Sequence, residues 1–333
     1  MRNIWEKSLG YQALRAFADP NTRASYNKAH VKGELPKDGA VIIAPNHTST
    51  LMDAMVVLRT RKEPTVFGAR AEIFKKPAIA KFLQYIRIVP MARIRDGAQS
   101  VLRNLETFAE VDEVLAHGVP FCIFPEGRHR PMHSLLPIGK GVARIAFASA
   151  AKRQTYVVPT GIENGSFFRY RYPNTVTFGD RIDVNAFLKA HEGCTENETF
   201  HAFRQELGKQ ISSLITYIPD DENYEAAWEA VKPKRKPRRL LAALLSPLFL
   251  IAAVLCLPMW VTAEILCKRA KDHAWNNTIR YGVKLLLTPI MLLFWLLVMP
   301  GWWKLLAGAL FLFSYSFFYD WINLTPSRGT GEE

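Results

Sequence analysis

The chain has 333 residues but only four cysteines, Cys122, Cys194, Cys256 and Cys267, and no two of them form a C-x-x-C pair. That spacing argues against a disulfide framework and against a zinc site. No G-x-S-x-G elbow occurs anywhere, which disfavours a serine hydrolase or transacylase. The N-terminal MRNIWEKSLGYQALRAF lacks the unbroken apolar core of a signal peptide, because Glu6, Lys7 and Arg15 interrupt it. Its apolar residues Ile4, Trp5, Leu9, Leu14 and Phe17 instead predict an amphipathic helix, lying on a bilayer or packed on the domain. Acids are the scarcer charge, 30 against 43 basic residues, for a net +13. Such an excess implies an anionic partner, either nucleic acid or a lipid surface. An aromatic-basic nucleic-acid module is missing too, so nucleic acid is not expected. The densest basic run, KPKRKPRR at 232–239, directly precedes an apolar stretch, where it would meet lipid phosphates; a solvated linker is the plain alternative.

Hydrophobic residues make up 49% of the chain and are unevenly spread. Residues 1–231 alternate apolar runs with charged and turn-forming stretches, whereas most of 240–319 is too apolar to leave in water. The expected organisation is a domain over 1–231 carrying the N-terminal helix, a basic linker over 232–239, and membrane-embedded helices over 240–322. Leu240 to Ala263 is free of charge for about 24 residues, enough to cross a hydrocarbon layer of roughly 30 Å. Both flanks are nevertheless basic, although cytoplasmic loops alone should collect such charge. A re-entrant hairpin bent near Pro247 or Pro258 would keep both flanks, and the domain, on the cytoplasmic face; a full span is the alternative. The next apolar stretch breaks at Pro300-Gly301 into two arms, with Trp302, Trp303 and Tyr319 suited to the interface. No isolated acid or base is expected deep in these arms, so anchoring rather than an ion pathway is their predicted role.

In the first part, AVIIAP at 40–45, PTVFGA at 64–69, VPFCIFP at 119–125 and TYVVPTGI at 155–162 read as buried strands. Helical stretches, ETFAEVDEVLAHG at 106–118 and GVARIAFASAAK at 141–152 among them, separate these runs. The expected fold is an α/β layered domain with a largely parallel or mixed sheet. Ligands bind beyond the carboxyl ends of such strands, which selects NHTSTLMDA, EGRHR and TGIENGSFFRYR. In the first, a neutral His47 could take a proton from a hydroxyl while Asp53 fixes its tautomer. Six residues of one continuous helix rotate by about 600°, so the pair would not face each other there. The pair therefore requires His47 in a loop, the helix beginning at Ser49 or Thr50, and Asp53 in its first turn. Thr50-x-x-Asp53 also reads as a helix capping box, the structural alternative. In the second place, Glu126 and Gly127 sit at a strand end, and Arg128, His129, Arg130 and Lys140 supply donors suited to phosphate, unless the loop is merely solvated. The stretch between adds Arg70, Lys75, Arg93 and Arg95, several of them ordinary surface bases.

NH and D with five residues between them, then IRIVPMARIRDG, then FPEG with bases, then VVPTGIEN, resemble the four ordered blocks of the PlsC-type glycerolipid acyltransferases. The resemblance covers most of residues 5–215. It implies that His47 is the general base, Asp53 the orienting acid, and Arg93, Glu126 and Gly127 parts of the acceptor's phosphate site. It also implies an acyl thioester donor, acyl-CoA or acyl carrier protein, as co-substrate, a phosphorylated glycerol acceptor, the lipid bilayer as partner, and no cofactor or metal. Most members place four residues between histidine and aspartate, whereas five stand here, similar to a glycerol-3-phosphate and dihydroxyacetone-phosphate branch that also has hydrophobic C-terminal segments. Where members often read FPEGTRS, this chain has Arg128, His129 and Arg130, which leaves open which arginine meets phosphate. The expected reaction is O-acyl transfer to glycerol 3-phosphate or 1-acylglycerol 3-phosphate in phospholipid synthesis. The alternatives are transfer to another lysolipid and an inactive scaffold that binds anionic lipid.

Overall fold

The computed structural model describes residues 3–6, 8–91, 98–232 and 237–325. In the first part of the chain the helices are α1 (Leu9–Arg23), α2 (Leu51–Arg59), α3 (Pro77–Tyr85), α4 (Ala98–Ala116), α5 (Lys140–Ala150), α6 (Val184–Ala190), α7 (Glu196–Ser213) and α8 (Tyr224–Val231). The strands are β1 (Ala29–Lys32), β2 (Ala40–Pro45), β3 (Val66–Arg70), β4 (Ile88–Met91), β5 (Phe121–Cys122), β6 (Thr155–Asn164), β7 (Asn174–Phe178) and β8 (Ile182–Asp183). They form one mixed sheet in the order β1-β7-β6-β2-β5-β3-β4, with β8 against the start of β6. The run from β6 to β4 is parallel throughout, and β7 is antiparallel to β6. All four strands legible in the sequence belong to that parallel run. β2 is buried end to end and β6 nearly so, which is why each reads as a continuous apolar run rather than an alternating one. Of the four strands not read from the sequence, β7 is an interior strand of alternating burial, and the other three are marginal. β1 is exposed along most of its length, β4 carries Pro90 at the sheet edge, and β8 has two residues.

Side chains alternate between two cores, as a pleated strand dictates. Ala40, Ile42 and Ala44 of β2 face one cluster, with α4, α5 and α7. Val41 and Ile43 face the other, where Met52, Val56 and Val57 of α2 pack together with residues from the C-terminal helices. The apolar C-terminal region therefore covers one face of the sheet.

That region comprises α9 (Arg239–Leu255), α10 (Leu257–Arg269), α11 (Asn276–Val298) and α12 (Trp303–Ile322). The stretches His273–Val298 and Trp303–Ile322 are long and apolar enough to cross a membrane. They are broken at Pro300-Gly301, where Gly301 takes a positive φ of 53°. α9 and α10 bend by 82° at Cys256, beside Pro258; Pro247 stays inside α9. Both ends of this bent pair return to the same side. Arg238 N–H donates to Leu324 O at 3.1 Å beside the end of α12, and Cys267 Sγ lies 3.5 Å from Asn276 O at the start of α11. The bend itself lies deep, since Leu255 O accepts from Trp295 Nε1 at 3.0 Å near the far end of α11. The re-entrant path matches the basic charge on both flanks.

Two expectations need amendment. The N-terminal helix runs on to Arg23 and does two things at once, burying Tyr11, Arg15 and Thr22 while leaving Leu9, Leu14 and Phe17 exposed. The helix of the first arm also begins well before its apolar stretch, so that Lys284, directly ahead of that stretch, lies two turns into α11 and is buried.

Candidate active site

The chain leaves β2 at Pro45, and Asn46 prolongs the pairing with side-chain atoms. Its Nδ2 donates to Ile162 O at 3.1 Å, and its Oδ1 accepts from Ile162 N–H at 2.6 Å. His47 then sits in an irregular turn ahead of α2, which starts at Leu51 with Asp53 in its first turn. Thr50, just outside the helix, has a positive φ of 49° and makes no side-chain cap. Its hydroxyl instead meets Thr278 Oγ1 of α11 at 2.6 Å. The capping-box alternative is thus not what is built. Asp53 is fully buried, and its Oδ2 accepts from Thr48 N–H at 2.7 Å, Ser49 N–H at 2.6 Å and His47 Nδ1 at 2.9 Å. Its other oxygen faces Asn164 Nδ2 at 3.4 Å. With Nδ1–H directed at the carboxylate, Nε2 of His47 is left as the basic atom.

The β5–α5 loop closes around the same histidine. Phe124 stacks on the imidazole at 4.1 Å, and Arg130 N–H donates to His47 O at 3.0 Å. Glu126 receives His47 N–H at 2.7 Å on one oxygen and Leu136 N–H at 2.9 Å on the other. It joins the two loops, and burial pushes its carboxyl up to about 7 despite those donors. Gly127 turns the chain with a φ of 68°, a conformation that favours glycine. Of the basic residues expected here, Arg130 is held by Asp220 and Ser134, and Lys140 by Asn197 of α7 at 3.1 Å. Arg128 is exposed and makes no hydrogen bond or ion pair among the described residues. Arg93 and Arg95 lie outside the described residues. Arg70 is paired with Glu72 at 2.8 Å.

The helical region adds residues that the sequence did not single out. His129 lies edge-on to His47, ring centroids 5.7 Å apart, and its Nε2 is 2.8 Å from Asp272 Oδ2 in the α10–α11 connection. Trp275 lies edge-on to the far side of His129 at 6.2 Å. Asn164 was visible as the end of VVPTGIEN, and its buried amide links Thr48, Asp53 and Asn174. Asp272, Trp275 and Thr278 were not singled out individually, since they stand well over a hundred residues from the loops they touch.

Residues 28–163, from β1 through β6, match the family model described as Acyltransferase. The chain carries an acyltransferase-family domain. The matched span contains the His47 loop and the Glu126 loop and stops one residue short of Asn164. The chain also aligns with the crystal structure of the 1-acyl-sn-glycerophosphate (LPA) acyltransferase PlsC from Thermotoga maritima. That match has 20% identity and a TM-score of 0.45, over 68% of this chain and 81% of the other.

Proposed function

We propose that the protein is a membrane-bound O-acyltransferase that moves a fatty acyl group from an acyl thioester to a hydroxyl of a phosphorylated glycerol, glycerol 3-phosphate or its 1-acyl derivative. The observation that carries the reading is the buried Asp53 on His47 Nδ1, with Nε2 left basic. Nε2 takes the proton of the acceptor hydroxyl as its oxygen attacks the thioester carbonyl; the imidazolium, stabilised by Asp53, then returns the proton to the departing thiolate. Phe124 fixes the ring plane and Glu126 fixes the loop, so the base is oriented before substrate arrives. Arg128 is the group assigned to the acceptor's phosphate, because among the described bases of that loop Arg130 and Lys140 are committed to protein partners. No cofactor or metal enters this scheme, and acyl-CoA or acyl carrier protein brings the acyl group. The re-entrant pair and basic flanks support a domain on the cytoplasmic face, where acyl donors are supplied and acyl products partition into the bilayer.

The test is to incubate membranes holding the chain with one radiolabelled acyl-CoA and a panel of acceptors, glycerol 3-phosphate, lysophosphatidate and other lysolipids. Incorporation that requires His47 and selects one phosphorylated acceptor supports the reading. Lipid binding without incorporation would instead make the chain a scaffold.

A further inference from the structure

Between α1 and the α11–α12 pair lies a cavity of about 300 Å3, whose walls include Phe17, Asn21, Lys284, Phe311 and Tyr315. No residue of the His47 or Glu126 loops lines it. Lys284 is 4% exposed, and its Nζ has one long hydrogen bond, 3.4 Å to Ser316 Oγ. Asp320, the acid one turn away on α12, is already held by Arg171 at 2.6 Å. Lys284 has no carboxylate partner among the described residues, and a buried ammonium without a counter-charge is strongly unfavourable.

The walls indicate what kind of anion would neutralise it. α11 starts at the acyltransferase domain and α12 returns to it, so Thr288 and Leu312 lie one turn farther from the domain than Lys284 and Ser316. At that depth the lining is apolar apart from the Thr288 hydroxyl, with Phe311 buried and Leu312 half exposed at the outer surface. Across the cavity, Phe17 belongs to the exposed apolar face of α1. The cavity is therefore cationic toward the domain and apolar toward the membrane. A free phosphate would leave the apolar part unfilled, and a neutral chain would leave the ammonium unpaired.

We propose that this cavity binds an anionic membrane phospholipid, with its phosphate at Lys284 and the first part of one acyl chain along Phe311 and Leu312. The site is separate from the reaction centre. Thr278, which touches the His47 loop through Thr50, precedes Lys284 by six residues, about 9 Å of helix.

The experiment reads binding rather than turnover, so its failure leaves the acyl-transfer reading untouched. The full-length chain in detergent is loaded with phosphatidylglycerol or phosphatidylcholine and washed at about 1 M salt, where a screening length of about 3 Å strips lipid from exposed basic runs. Retained lipid is then counted by native mass spectrometry. The expected result is one phosphatidylglycerol retained, with no retained phosphatidylcholine. Lys284→Met should lower retention about tenfold, the loss of one charge-assisted contact, while Lys284→Arg keeps it. Leu312→Trp, which fills the apolar part and leaves the ammonium, should also lower retention, and it serves if Lys284→Met does not fold. Equal retention by Lys284→Met, or by Leu312→Trp, overturns the proposal. Complete displacement of the lipid by inorganic phosphate does so as well, because it would mark a free-anion site.

Discussion

In the acyltransferase domain, buried polar groups around His47 are matched mostly within the loops of the same sheet. Asp53 takes amides from Thr48 and Ser49, Glu126 takes those of His47 and Leu136, and Asn46 holds Ile162. In the helical region the polar groups reach outward instead. Thr278 meets Thr50, Asp272 meets His129, Asp320 holds Arg171, and Arg280 donates to Phe168 O at 2.6 Å while pairing with Glu264. An anchor needs only an apolar surface. The helical region, by contrast, is docked onto the loops that hold Thr50 and His129, and it shares a core with α2.

The largest effect that could break this contrast lies in the domain. His47→Ala should remove transfer by about 10²–10⁴-fold, the usual contribution of a general base. The melting curve should barely move, because the ring is part-exposed and its backbone bonds to Glu126 and Arg130 survive. Retained turnover in that variant would overturn the mechanism. Asp53→Asn should cost both activity and stability. One orientation of the amide sets a donor against the Thr48 and Ser49 N–H groups and the other sets it against Asn164 Nδ2, and an unsatisfied buried donor costs about 1–3 kcal/mol. A melting temperature unchanged in Asp53→Asn would mean that the carboxylate does not organise the helix start.

The contrast also explains what could be read from the chain without coordinates. The parallel strands were legible because burial on both faces leaves unbroken apolar runs. The His47–Asp53 pair was legible as a geometric demand: six residues do not face each other on one helix, so a loop had to intervene, and the positive φ of Thr50 is part of how that loop turns. Asp272 was hidden because nothing local distinguishes it from any polar residue in a basic loop; only the packing of α10 and α11 on the domain brings it to His129. Lys284 was passed over for a similar reason, standing at the edge of an apolar run where snorkelling to the surface is the ordinary outcome. Glu126 was read as a phosphate-site residue, and its role as a clasp between two loops depends on amides that carry no sequence signature.

A smaller effect tests the helical contribution directly. Asp272→Asn keeps an acceptor for His129 but removes the charge. The pair is partly exposed, so about 0.2–1 kcal/mol is at stake, and KM for the phosphorylated acceptor should rise about two- to fivefold with kcat little changed. A fall in kcat alone would place Asp272 in the chemistry rather than in the positioning of His129.

The last test concerns Glu126 and reads the domain's own clasp. Its carboxyl titrates at about 7 in the folded chain, above the ordinary 4.5, because burial outweighs the two amide donors. Between those values the folded chain holds a proton that the unfolded chain has released. The associated stability is therefore complete below pH 4.5 and is lost as pH rises toward 7, with no further change above it. Melting curves of wild type and Glu126→Gln from pH 5 to pH 8 isolate that slope, since glutamine does not titrate. Wild type should lose ground to the variant as pH rises, even though the ionised carboxylate is the better acceptor for His47 N–H. Parallel curves would show instead that the two amides hold the carboxylate ionised across the range, and that the clasp outweighs the burial around it.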